Sequence, residues 1–125
     1  MTENEISYKI IGTAIDLHRN VGPGLLESAY ENALAYDLRE SGLEVKQQLP
    51  LPFHYKEVKM DVGYRVDLLI ENKVIVEVKS VETLVPVHYA QLLTYLKLSD
   101  KKLGLLINFN SKILKNEIHR VVNNL

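Results

Sequence analysis

The 125-residue chain contains no cysteine. That excludes a disulfide framework and any thiolate-ligated metal site, structural zinc fingers included. Long apolar runs are missing too: no stretch approaches the eighteen or so residues that a membrane-spanning helix needs. The first thirty residues lack the basic start, apolar centre and small-residue cleavage site of a secretory signal, so the expected location is the cytoplasm, with no membrane partner. Internal repeats, low-complexity tracts and linkers are absent. A strong charge of one sign is absent as well. The formal net charge is −1, so the chain as a whole does not have the basic balance of a typical nucleic-acid-binding domain. Its distribution is less even. Residues 1–44 hold eight acidic and three basic side chains, whereas residues 97–125 hold Lys97, Lys101, Lys102, Lys112, Lys115 and Arg120 against only Asp100 and Glu117. The carboxyl-terminal part could face a polyanion. On charge alone, a solvated lysine surface explains the pattern better.

What is present suits one core. With 46% hydrophobic residues in 125, the chain is long enough for one compact domain, taken as residues 1–125, and too short for two ordinary ones. Ile6, Ile10, Ala14, Leu17 and Val21 recur at helical spacing over residues 3–20. Gly22, Pro23 and Gly24 break that pattern, and a second helix is predicted from about Leu25 to Ser41 and Gly42. Residues 44–58 alternate polar with apolar and contain Pro50 and Pro52, which suits an interrupted edge strand. A helix is expected over Val87–Leu98 and a strand over Lys102–Phe109, with Lys115–Val122 open between helix and strand.

The segment between these elements carries the chemistry. Val66, Leu68, Leu69 and Ile70, then Val74, Ile75, Val76 and Val78, read as two central strands joined at Glu71, Asn72 and Lys73. A turn centred on Asn72 sets Leu69 opposite Ile75 and Asp67 opposite Glu77. Alternation then puts Asp67, Glu77 and Lys79 on one face and Val66, Leu68, Val76 and Val78 on the other. Two carboxylates facing each other across an antiparallel pair, with β-carbons about 5 Å apart, repel. A divalent cation between them turns that repulsion into attraction.

Other residues converge on the same face. Glu27 shares a helical arc with Tyr30, Leu34 and Leu38, and so can point inward. Taken singly it is better explained as a first-turn glutamate favoured by the helix dipole, worth about 0.3–1 kcal/mol. His88, Gln91, Leu92 and Tyr95 share a face of the third helix, and by themselves they are better explained as a packed aromatic with a polar rim. Lys79 can orient a water or stabilise a phosphate as negative charge develops, or form an ordinary salt bridge. What carries weight is that Glu27, Asp67, Glu77 and Lys79 can occupy one site, with Gln91 and Tyr95 beside it.

Gly24, Glu27 and Tyr30, within Gly24-Leu25-Leu26-Glu27-Ser28-Ala29-Tyr30, resemble the motif of the GxxExxY proteins, a group assigned to the PD-(D/E)XK nuclease superfamily. Asp67 stands where that superfamily has its metal-binding aspartate. Glu77-Val78-Lys79 resembles its E-x-K, and Gln91-Leu92-Leu93-Thr94-Tyr95 is similar to the Q-x-x-x-Y helix motif of its RecB-like nucleases. Leu105-Leu106-Ile107-Asn108-Phe109 resembles the strand that follows. Val66 replaces the proline for which the superfamily is named, but the aspartate after it is the chemically required group. The resemblance covers roughly residues 5–122.

The resemblance implies an α/β fold with a restriction-endonuclease-like core, a mixed four-stranded sheet flanked by helices. It implies hydrolysis of nucleic-acid phosphodiesters, DNA before RNA, assisted by Mg²⁺ or Mn²⁺. Asp67, Glu77, Glu27 and the Val78 carbonyl are the expected metal ligands, hard oxygen donors suited to those ions. Lys79 would hold the water or the leaving oxygen, Gln91 the metal-bound water or a substrate phosphate, and Tyr95 the substrate backbone. So small a domain offers few phosphate contacts, which suggests a homodimer. A binding module on a nuclease fold, without turnover, is the alternative of different class. A purely structural network of Asp67, Glu77 and Lys79 is disfavoured, because excess negative charge in a poorly hydrated place costs several kcal/mol.

Overall fold

The computed structural model describes residues 1–125. Two helices come first, α1 (Glu3–Val21) and α2 (Glu27–Glu40), followed by strands β1 (Val45–Pro50), β2 (Phe53–Tyr55), β3 (Val58–Met60), β4 (Arg65–Ile70) and β5 (Val74–Lys79). Helix α3 (Pro86–Ser99), strand β6 (Leu103–Asn108), a 3₁₀ turn (Leu114–Glu117) and strand β7 (Ile118–Val122) complete the chain. No helix is long and apolar enough to cross a membrane.

The main sheet has the order β1-β4-β5-β6-β7. All its neighbours are antiparallel except β5 and β6, which are parallel as the α3 crossover between them requires. This mixed sheet flanked by helices is the expected α/β architecture, with five strands where four were expected. The added member is β7, in the segment whose helix-or-strand identity the periodicity leaves open. Strands β2 and β3 form a separate small hairpin after the interruption at Leu51 and Pro52.

Both faces of the sheet are covered, which explains why β5 and β6 are almost continuously apolar. On one side Ile6, Ile10, Ala14 and Leu17 of α1 and Tyr30, Leu34 and Leu38 of α2 pack on Leu68, Ile70, Val76, Val78, Leu105 and Ile107. On the other, Leu92, Tyr95 and Leu96 of α3 pack on Val66, Leu69, Ile75 and Leu106. Helix α1 starts with a reciprocal cap: the Glu5 N–H donates to Thr2 Oγ1 (3.2 Å) and the Thr2 N–H to Glu5 Oε1 (3.0 Å). The hairpin turn has left-handed φ at Glu71 (51°) and Asn72 (57°), with Lys73 N–H donating to Ile70 O.

Gly104 in β6 lets α3 approach closely. A Cβ there would lie 2.7 Å from Leu92 Cδ1, and Leu92 is fully buried. Gly104→Ala is expected to destabilise the fold by about 1–3 kcal/mol through overpacking, read by chemical denaturation.

Candidate active site where strands β4 and β5 part

The pairing of β4 with β5 is symmetric about Asn72, with Leu69 opposite Ile75 and Leu68 opposite Val76 as expected, and it stops there. At the next position the carboxylates take over from the backbone ladder. Glu77 Oε2 accepts the Asp67 N–H (2.8 Å), and Asp67 Oδ2 accepts the Val78 N–H (2.8 Å). On the other side of β4, the pairing with β1 also skips Asp67 and its partner position Gln48, whose φ is +50°. Both strands change face at this break. Val66 therefore packs with Leu69 and Ile75 under α3, and not with Leu68, Val76 and Val78 as strict alternation predicts. The correction has a local cause: one left-handed residue in β1 rotates the strand pair and leaves Asp67 between the splayed backbones.

Glu77 is 5% exposed and Asp67 is partly buried. Burial, together with the nearby Asp67 carboxylate, pushes the Glu77 pKa up to about 8. The Asp67 pKa is raised as well, first by burial and then by the charge of Glu31, against the opposing bond from Val78 N–H. Lys79 lowers both at a distance, but it forms no ion pair within 4 Å: the ion pairs of the chain are Lys46–Glu44 (3.9 Å) and His119–Glu117 (3.5 Å), away from this site. A neutralised structural triad is therefore not what the side chains form. Tyr95 lies close enough that burial and then the charges of Glu77 and Asp67 raise its phenol pKa.

The other sequence-predicted residues fall around this pair in different ways. Glu27, at the start of α2, is exposed, and its Oε1 accepts the Ser80 N–H (3.2 Å), next to Lys79. Ser80 Oγ donates to Leu25 O (2.8 Å), so the α2 entrance is clasped to the end of β5. Gln91 lies exposed on the rim of a groove of about 410 Å³ that it shares with Tyr64, Val87, Thr94 and Tyr95. His88 caps its own helix, accepting the Val85 N–H at Nδ1 (3.1 Å). Asp67, Glu77 and the Val78 backbone are thus in direct contact, with Lys79 and Tyr95 nearby, while Glu27 and Gln91 stand at the edges. No three of the histidine, aspartate and glutamate side chains gather into one cation-sized cluster.

Tyr30 has a structural part in the same region. Its ring is fully buried and stacks on Phe109 (centroids 4.5 Å apart), while its hydroxyl donates to Gly22 O (2.6 Å) and accepts the Leu25 N–H (3.1 Å). That one hydroxyl fixes the Gly22–Leu26 loop leading into Glu27, where Gly24 has φ +102°. Tyr30→Phe removes both bonds from a loop that water can partly reach and is expected to cost about 0.5–1.5 kcal/mol in denaturant unfolding.

Two residues escaped the sequence reading. Gln48 Nε2 donates to Asp67 Oδ1 (3.3 Å) and to Glu31 Oε1 (2.7 Å), and Gln47 Nε2 donates to Glu31 Oε2 (3.0 Å). Glu31, one turn after Glu27, is therefore tied to Asp67 through an amide. The i, i+4 spacing of Glu27 and Glu31 on α2 was the available signal.

A mixed sheet with helices on both faces and an acid pair at a splayed hairpin defines a restriction-endonuclease-like core. The family model described as the PD-(D/E)XK nuclease superfamily matches residues 4–121. The crystal structure of SSO0001 matches with a TM-score of 0.58 at 16% identity, over 78% of this chain and 50% of that one. This chain thus spans half the length of that protein, and the likeness concerns the fold. A search of curated proteins gives no match. The chain belongs to the PD-(D/E)XK nuclease superfamily.

Proposed function

We propose that this protein is a metal-dependent nuclease that hydrolyses phosphodiester bonds, in DNA before RNA, and that it is one of the GxxExxY proteins, with residues 1–125 acting as one catalytic domain. The observation that carries this reading is the Asp67–Glu77 pair, a buried and a partly buried acid in mutual contact with no cation at ion-pair distance. Uncompensated burial of such groups costs stability, and that is the pattern of a site kept for chemistry.

The donor set fits magnesium or manganese, because all its members are hard oxygens. Asp67 and Glu77 would hold the ion, with the Val78 carbonyl and Glu27 as further donors once Glu27 releases Ser80. When bound, such an ion supplies charge neutralisation at the scissile phosphate and a more acidic water. The protein's own groups do the rest. Lys79 faces the reacting phosphate, holds the attacking water or the leaving oxygen, and offsets charge as it develops. Gln91 and Tyr95 line the groove and orient a substrate phosphate and the strand that carries it. A duplex is gripped by two copies, since one domain supplies few phosphate contacts.

The test is incubation of the purified protein with labelled linear and circular DNA, single strands and RNA in Mg²⁺ or Mn²⁺, beside an EDTA control. Metal-dependent cleavage, with DNA cut faster than RNA, is the expected result. Binding without cleavage of any substrate would place the protein among non-catalytic modules, and cleavage that persists in EDTA would remove the metal from the reaction.

A further inference from the structure

A second concave site lies beside the end of α1, outside the acid pair. The segment after β6 folds back over the last turn of α1 and encloses a pocket of about 290 Å³ lined by Ile15, His18, Arg19, Lys112, Ile113, Leu114 and Lys115. Three of these residues are cationic and none is acidic. None of Arg19, Lys112 and Lys115 forms an ion pair within 4 Å. His18 is 6% exposed and its Nε2 has no hydrogen-bond partner, and the neighbouring Ser111 Oγ is also buried without one.

Orphaned polar atoms of this kind are uncommon in folded proteins and call for an explanation. Favourable interaction with the α1 carboxyl terminus accounts for Arg19, but it gives the His18 Nε2 no partner. It does not account for Lys112 and Lys115 being brought to the same pocket from another element. All three cations are exposed, so water and salt screen their mutual repulsion, and an anion received in the pocket would draw on all three at once.

We propose that this pocket binds a phosphate group of a nucleic-acid backbone, with Arg19, Lys112 and Lys115 as the charged contacts. Its position suits that use. Phe109, at the end of β6, donates its N–H to Lys79 O (2.8 Å), stacks on Tyr30 and tilts against the His18 ring (centroids 6.4 Å apart). The pocket and Lys79 thus lie at the same end of the parallel β5–β6 pair, on either side of Phe109. A strand whose scissile phosphate lies at Lys79 can place another of its phosphates here. Binding at the pocket stands apart from catalysis, although its use for substrate rests on the nuclease reading.

The experiment measures the affinity of a fluorescent DNA oligonucleotide in EDTA over a range of salt, for wild type, Lys112→Ala/Lys115→Ala, Arg19→Ala and a control, Lys101→Ala/Lys102→Ala. Lys101 reaches Asn72 in the hairpin turn, at the opposite end of the sheet, so the control removes the same charge elsewhere. The pocket variants are expected to weaken binding about 10-fold and to lower the salt slope by about 1 per cation removed, with the control near wild type. Inorganic phosphate is titrated in parallel. Phosphate that competes at millimolar concentration only with proteins keeping Lys112 and Lys115 supports the pocket, and tight phosphate binding without oligonucleotide binding would make free phosphate its ligand and overturn the backbone assignment. Equal losses in pocket and control variants, or no loss, would overturn the proposal. A protein that cleaves DNA but ignores the pocket variants loses the pocket and keeps the nuclease; one that binds through the pocket and never cleaves does the reverse.

Discussion

Asp67→Asn is expected to abolish metal-dependent cleavage, lowering its rate by at least about 10³-fold, while the fold stays as stable as wild type or becomes more so. The two halves of this outcome share one cause. An asparagine is nearly isosteric and keeps an oxygen to accept the Val78 N–H that Asp67 Oδ2 now accepts at 2.8 Å. It removes a charge that burial and Glu31 both disfavour and that raises the Glu77 pKa. What is lost is the anionic donor. Single-turnover cleavage and denaturant unfolding of the same preparation check both halves. Wild-type cleavage by the variant would take Asp67 out of the mechanism, and a large loss of stability would show that its charge is compensated in the fold.

The metal-free protein is expected to lose stability, on the order of a few kcal/mol, as the pH rises from about 4.5 to about 8, and Glu77→Gln is expected to flatten that profile. An acid whose folded pKa is raised from 4.5 to about 8 holds its proton more tightly in the folded chain than in the unfolded one. Over that interval the folded state binds more protons, so the stabilising contribution is complete below the unfolded pKa and is lost as the pH climbs through the folded one. The glutamine variant should match wild type near pH 5 and exceed it near pH 8.5. Denaturant midpoints at several pH values measure this. A wild-type profile that is flat, or that rises with pH, would contradict the uncompensated burial of Glu77.

How much of this was legible in the sequence depends on whether the signal was local. The β4–β5 register follows from the length of the Glu71–Lys73 turn, so the nearness of Asp67 and Glu77 was readable from spacing, but not that the ladder ends at Leu68 and Val76 and a carboxylate–backbone contact replaces it. Helices α1 and α3 follow from the period of their buried residues, since Ile6, Ile10, Ala14 and Leu17 all reach the core. The face of Val66 was not readable. It depends on the left-handed backbone of Gln48, which nothing in an alternating pattern announces. Glu31 and Gln48 were missed for a related reason: their link to Asp67 exists only once α2 packs beside β1, which is tertiary information. The β2–β3 hairpin was obscured by Pro50 and Pro52, which mark an interruption without saying what fills it. Gln91 was placed on the right helix, but at its rim, because helical spacing gives an arc and not a depth.

The most direct measurement is calorimetric titration of Mn²⁺ into the wild type, Asp67→Asn and Glu77→Gln at pH 8, where the buried acids can ionise. Saturable binding by the wild type that is lost or greatly weakened in both variants is the predicted result. Binding that survives both substitutions, or no binding by the folded wild type, would contradict an acid pair built to hold a metal ion.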